Sequence, residues 1–429
     1  MTSFTRLSFL LITTLFLSAC QTGGGYNKAP VRHGNTHGNT WDYNKRSQAK
    51  RPAENAPKTI TDTRIQQTTQ TTQTAPTPPT RPVKVSILLP LSGKHEALGQ
   101  SMLKAAQLAL FDINASGFEL IPHDTSGTPD GARHAAQKAI QNGSELILGP
   151  LFADSVRAAK PIASNARINM LAFSTDWTLA GGNTFIMGFL PFDQVDRLTK
   201  YIAAKRLGRV GVIAPDTPYG NAVNNAYSQT AARYGIRTTA RTLIPPHTSN
   251  LAPTLSEFTR YTARQSGAPK PFDAVLMPTG GQQAADIANL LSHYDLPPRE
   301  VKRLGTGLFD DKSLASEANL NGAWFAAPMP DLRRNFEQKY IATYGKSAPR
   351  LASLAYDATA LAAVLSVRGI TATGTPAFDK TSIANPNGFA GIDGIFRFRT
   401  DNTIERGLAI LEFKNGHIST IDPAPRTFQ

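Results

Sequence analysis

The sequence predicts an α/β protein of two similar halves, each a parallel sheet flanked by helices, behind a long segment that builds no core. Three observations carry this. From Val83 onward, short apolar stretches alternate with stretches of helical period. The series restarts after Leu207. The residues before Val83 are instead rich in Thr, Gln, Asn and Pro and poor in large apolar side chains. Short apolar strands separated by amphipathic helices mark βαβ units, whose strands are covered on both faces.

Taken in order, "VKVSILLPL" places Val83, Val85, Ile87 and Leu89 at strand period. A helix over Gly99–Asn114 follows, with Met102, Ala105, Ala106, Ala109, Leu110 and Ile113 on one stripe. "FELIPHD" is a second strand, and Pro129 suits the first turn of a helix running to Gln141. "ELILG" is a strand, Asp154–Asn165 a helix and "INMLAF" another strand. After Leu207 come strand "RVGVIAP", helix Asn221–Tyr234, strand "RTTARTLI" and a helix near Leu255–Arg264. Strand "AVLMP", helix Gln282–Ser292 and strand "VKRLG" continue the series. Two further helices span Leu332–Tyr344 and Leu351–Val367. "GIFRFRT" and "LAILEFKNGHI" read as a hairpin with Asp401-Asn402 in its turn.

The N-terminus has a different character. Arg6 precedes an uncharged run, Phe9 to Leu17, far short of the roughly 20 residues of a membrane span. That is the core of a signal peptide spanning residues 1–19. Leu17-Ser18-Ala19-Cys20 resembles a bacterial lipobox, which implies cleavage before Cys20 and lipidation of that residue. The chain then meets the membrane through lipidated Cys20. Gln21, where an aspartate signals inner-membrane retention in enteric bacteria, favours the outer membrane. Residues 20–82 form a lipidated, disordered linker, because so few apolar groups cannot offset the entropy of ordering. As a coil it spans on the order of 45 Å, and fully stretched roughly 200 Å.

Cys20 is the single cysteine, so no disulfide supports the fold. The net charge of +14 resembles a nucleic-acid signal, but nine Lys/Arg against three Asp/Glu lie in the linker and the rest is spread without a run. Nucleic acid is not an expected partner; attraction to anionic lipid or wall polymers, or a simply solvated surface, accounts for the balance. Catalytic signatures are missing too. Ser92-Gly93-Lys94 lacks the other residues of a phosphate loop, and Gly305-Thr306-Gly307 lacks the third glycine of a dinucleotide fingerprint. There is no nucleophile elbow and no zinc motif. The reading is a protein that is not an enzyme and holds no cofactor or metal.

Four stretches together resemble one family. "LLPLSGKHEALGQSMLKAAQLALFDIN", "LILGPLFADSVRAAKPIASNARINMLAFST", "GVIAPDTPYGNAV" and "GIDGIFRFRTDNTIERGLAILEFKNG" are similar, in this order, to landmarks of type I periplasmic binding proteins of the leucine/isoleucine/valine-binding group. The resemblance implies two Rossmann-like lobes with parallel sheets, joined by three crossovers and closing on a cleft. The crossovers fall near Phe189–Asp193, Ala326–Pro330 and Gly391–Gly394. The periplasmic binding domain is residues 83–429, with lobe 1 at about 83–190 plus 328–392 and lobe 2 at about 191–327 plus 393–429.

In open α/β sheets, ligands sit beyond the carboxyl ends of the strands. This selects Ser92 and Gly93 after the first strand, Phe152 and Ser155 after "LILGP", and Ser174 and Thr175 after "NMLAF". In the second half it selects Asp216, Tyr219, Thr279, Gly280 and Thr306. For each hydroxyl the plain alternative is a helix cap or a turn. Amino-acid-binding relatives hold the ligand carboxylate with hydroxyls and N–H groups of the first lobe, where Ser155, Ser174 and Thr175 match. They hold its ammonium with an acid near the strand "VKRLG". Here that loop carries no carboxylate, and Asp310 and Asp311 lie slightly further on. A buried ammonium without a counter-charge is costly.

Two functions follow. Lipoproteins similar to this chain include activators of penicillin-binding proteins, which imply a regulator of a peptidoglycan synthase. The alternative is the solute-binding component of an ABC importer, with a permease partner and a small amino-acid-like or amide ligand. The expected location is the periplasm, on the outer rather than the inner membrane.

Overall fold

The computed structural model describes residues 81–245, 248 and 250–428. The expected signal peptide, Cys20 and the linker up to residue 80 lie outside the described residues. The chain opens with β1 (Val83–Leu89), α1 (Glu96–Ile113), β2 (Phe118–Asp124), α2 (Pro129–Gln141) and β3 (Leu146–Leu148), then α3 (Ala153–Asn165), β4 (Asn169–Ala172) and β5 (Thr184–Ile186). These strands form one parallel sheet in the order β2-β1-β3-β4-β5. Val85, Ile87, Leu146, Leu148 and Leu171 are fully buried in its core. Pro122 is tolerated in β2 because that strand is an edge. Thr128 caps α2 through the Gly131 N–H, with Pro129 in its first turn. Gly99 lets α1 lie against the loop after β1: a Cβ there would sit 1.9 Å from the Pro90 carbonyl oxygen.

The second lobe repeats the scheme with α4 (Pro191–Ala204), β6 (Arg209–Pro215), α5 (Pro218–Arg233), β7 (Arg237–Ile244), α6 (Ala252–Phe258) and α7 (Tyr261–Gln265). It continues with β8 (Ala274–Leu276), α8 (Gly281–His293), β9 (Lys302–Gly305), α9 (Lys312–Ala315) and β10 (Trp324–Ala327). The single helix expected near Leu255–Arg264 is two short ones, because Arg260 between them takes a left-handed backbone, φ 51°. The chain then returns to the first lobe. There α10 (Pro330–Tyr344) packs on α1 through the Lys339–Asp112 ion pair and the Tyr340 hydroxyl, which donates to the Ser101 carbonyl, and α11 (Ala352–Thr373) through the Tyr356 hydroxyl, which donates to Asp112 at 2.8 Å. A short α12 (Lys380–Ile383) leads to a small antiparallel sheet of β11 (Phe389–Gly391), β12 (Gly394–Phe398) and β13 (Ile404–Arg406). The chain ends with β14 (Ala409–Lys414) and β15 (His417–Asp422). The second sheet has the order β15-β14-β10-β9-β8-β6-β7, parallel except at β14 and β15. At the centre of its core Phe309 stacks on Phe413, and Phe325 packs edge-on to Phe309 and tilted on Phe413.

The α/β class and the mostly parallel sheets agree with the sequence pattern. The C-terminal hairpin does not. Residues 394–400 do turn back at Asp401-Asn402, but their partner is the short β13, not residues 408–418. Phe396, Phe398 and Ile404 belong to the first lobe's core, and Leu408 and Ile410 to the second lobe's. The third passage between lobes therefore lies after Arg406 and not at Gly391–Gly394. The reason is packing: β12 presents Phe396 and Phe398 to Phe185 and Phe389 of the first lobe. Among the described residues no helix is long and apolar enough to cross a membrane.

Candidate functional site

Both lobes wall one cavity of about 250 Å³. Thr175 follows β4, Tyr219 opens α5, Gly307 and Leu308 follow β9, and Ala326 to Pro328 end β10. Phe189, Leu190, Asp193 and Gln194 come from the first crossover, and Arg350, Leu351, Ile404 and Arg406 from the first lobe's later segments. A second depression, about 340 Å³ around Pro297, Arg299 and Lys302, lies at the amino end of β9, the wrong end of the sheet for a ligand.

The cavity's polar wall is an ion cluster. Arg350, on the loop between α10 and α11, places its Nε 2.9 Å from Asp310 Oδ2 of the second lobe. Its Nη1 lies 2.9 Å from Asp393 Oδ2, in the turn between β11 and β12 of the first lobe. The same Nη1 donates to Ser353 Oγ at 2.9 Å, and the guanidinium stacks 4.2 Å from the Phe189 ring. Burial works against the Arg350 charge, but Asp393 and Asp310 outweigh it and raise its pKa. Arg406 stacks 4.8 Å from the same ring, donates to the Met187 carbonyl at 3.1 Å and lies 3.9 Å from Asp357 Oδ2. Asp193 accepts from the Arg406 backbone N–H and pairs with Arg399. Asp357 and Asp393 are each 1% exposed. Burial, then the Asp393 charge, pushes Asp357 up to about 7. Burial also opposes ionisation of Asp393, but Arg350 and Arg406 hold it below the ordinary carboxylate range.

The residues selected from the sequence fall into two groups. Thr175 and Tyr219 line the cavity, and Thr306 supports Tyr219 by accepting its hydroxyl at 2.8 Å. Burial raises that phenol to about 12, against the effect of the Thr306 hydrogen bond. Gly280 lies behind Leu308, whose carbonyl a Cβ on Gly280 would meet at 3.1 Å. The others carry local structure. Ser92 donates to Asp124 at 2.5 Å, Gly93 holds a φ of 76° in the turn before α1, and the Phe152 ring packs on His95. At Asp124 burial opposes ionisation, yet hydrogen bonds from Ser92, Ser126 and Leu91 keep it below the usual range. Ser155 is buried and donates to the Thr128 carbonyl, while Ser174 accepts the Asp176 N–H. Asp216 is exposed and accepts from Asn221. Thr279 is buried, and its hydroxyl has no hydrogen-bond partner among the described residues. Phe189, Gln194, Arg350, Arg406 and Asp310 also line the cavity but do not sit in the first residues after a strand that the apolar pattern marks, where the sequence signal lies.

A family model described as periplasmic binding protein matches residues 82–417. The chain belongs to the periplasmic binding protein family. Its likeness to individual members of that family is distant. It is 25% identical to the Leu/Ile/Val-binding protein of Escherichia coli (strain K12) over 155 residues, 34% of this chain and 42% of that protein. To the Leu/Ile/Val-binding protein of Citrobacter freundii it is 26% identical over 149 residues, 32% of this chain and 41% of that protein. The matched stretch thus spans about two fifths of these curated relatives. Among solved structures, an ABC transporter substrate-binding protein from Sphaerobacter thermophilus superposes with a TM-score of 0.65 at 18% identity, covering 80% of this chain and 97% of that one. The branched-chain amino acid transporter substrate binding protein of Streptococcus pneumoniae, solved with isoleucine, gives 0.58 at 20% identity, covering 80% and 100%. A solute binding protein of an ABC transporter from Rhodopseudomonas palustris BisB5, solved with 3,4-dihydroxybenzoic acid, gives 0.60 at 18%, covering 81% and 97%. Periplasmic binding proteins of this shape therefore accommodate ligands with and without an ammonium group. In this member, the acid nearest the strand "VKRLG" is already paired with a protein cation, Arg350.

Proposed function

We propose that this protein is a non-catalytic lipoprotein, anchored through Cys20 to the outer membrane, whose binding domain activates or regulates a peptidoglycan synthase of the penicillin-binding-protein class. One observation carries the reading: Asp310, which could meet a ligand's ammonium, is neutralised from within by Arg350 at 2.9 Å. An α-amino acid entering this cleft would have to displace a guanidinium that is also held by Asp393, Ser353 and Phe189. The long polar linker and the lipobox fit a domain that reaches inward from an outer-membrane anchor. The second reading is the solute-binding component of an ABC importer for branched-chain amino acids, amides or another small solute. It is favoured by the cavity of about 250 Å³, whose wall is largely apolar around Tyr219 and two arginines.

Fractionation and capture separate the two. The native lipoprotein, cross-linked in intact cells and purified from membranes, is expected in the outer-membrane fraction. It should carry a partner that reacts with fluorescent penicillin. Recovery from the inner membrane with an ABC permease, and with no penicillin-reactive partner, would contradict the proposal.

A further inference from the structure

The cleft contains a cation fixed on one lobe and clasped by an acid on the other. Arg350 is anchored to the first lobe through Asp393 and Ser353, and its ring contact with Phe189 fixes the plane of the guanidinium. Its remaining edge points to Asp310, which the turn after β9 supplies from the second lobe. A ligand closes two lobes only by binding the closed arrangement better than the open one. A guanidinium built into the chain does the same without any ligand, because its pairing with Asp310 exists only when the lobes meet. The pair is charge-assisted and lies at the edge of a largely apolar cavity, where solvent screens it less than at a free surface.

We propose that Arg350 is a resident ligand surrogate: its guanidinium holds the two lobes closed in the absence of any solute. Removing it turns the cleft into a site for small free organic cations of the guanidinium or primary-ammonium class. This goes beyond the choice of partner and stands whether the protein serves a synthase or a permease.

The test uses the full chain with Cys20→Ser, carrying spin labels on Lys94→Cys in the first lobe and Gln282→Cys in the second, both exposed in loops or first turns beyond strand ends. With Arg350 intact and no ligand, one short, narrow label-to-label distance is expected. Arg350→Ala should lengthen and broaden it, and added methylguanidinium should restore the short distance in that variant while leaving the parent unchanged. Asp310→Asn should lengthen it as well, with no response to methylguanidinium; it also serves if Arg350→Ala does not fold by circular dichroism. A long or broad distance in the parent overturns the proposal. So does an unchanged distance in a folded variant, or a failure of methylguanidinium to shorten the distance in Arg350→Ala. None of these results depends on finding a penicillin-binding partner, so the surrogate and the regulator reading fail separately.

Discussion

Replacing Arg406 by methionine should lower the stability of the folded domain by roughly 3–5 kcal/mol at pH 8, and by clearly less at pH 5. The Arg406 side chain is 3% exposed and faces Asp357, itself 1% exposed, at 3.9 Å, with Asp393 close by. Methionine keeps much of the packing against Phe189 and Phe396 but leaves two buried carboxylates to Arg350 alone. At pH 5 Asp357 is protonated and needs less compensation. Urea unfolding at the two pH values reads the difference. A pH-independent loss would mean that Arg406 acts by packing, and a negligible loss would remove it from the ion cluster.

Replacing Asp357 by asparagine should flatten the pH dependence of stability between pH 4 and pH 7. In the folded protein this acid is pushed up to about 7, first by burial and then by the Asp393 charge. A raised acid stabilises the fold while it is protonated. That contribution is complete below the ordinary carboxylate value near 4 and is lost as pH rises through the folded value. The size is on the order of 4 kcal/mol across the window. Asp124 works in the opposite sense and in another window. Held below the ordinary range, it contributes above that range and loses its contribution as pH falls further. Melting temperatures of parent and Asp357→Asn from pH 4 to 9 check this. The parent's midpoint should fall from pH 4 to 7, and the variant's should fall clearly less, keeping the contribution of Asp193, which burial also raises. Parallel curves would show that Asp357 ionises normally.

The sheets were legible in the sequence because apolar period is a local property. β1, β6 and β9 announce themselves in seven, seven and four residues. β5 and β10 were not: each runs directly into a crossover between the lobes, so the strand–helix alternation that marks β3, β8 and β9 is broken there. Of the residues the strand-end rule selects, Thr175 and Tyr219 line the cavity between the lobes, whereas Ser92, Phe152 and Asp216 serve turns, packing and a neighbouring asparagine. Hydroxyls and small residues at strand ends do both jobs, and composition does not separate them. The ion cluster was hidden for a different reason. Asp193, Arg350, Asp357, Asp393 and Arg406 come from five separate segments, and the Asp193 carboxylate meets the Arg406 N–H across 213 positions of sequence. One local signal did exist: Asp357 is a lone carboxylate in the apolar run "LASLAYDATALAAVL". A charge placed there must be buried and therefore partnered, which points to distant arginines.

With Arg350 paired to it, Asp310 is unavailable to a ligand's ammonium group. Calorimetric titration of the native protein with isoleucine and leucine tests this most directly: no saturable heat is predicted for either amino acid. Stoichiometric binding with a dissociation constant of about a micromolar or tighter would contradict it.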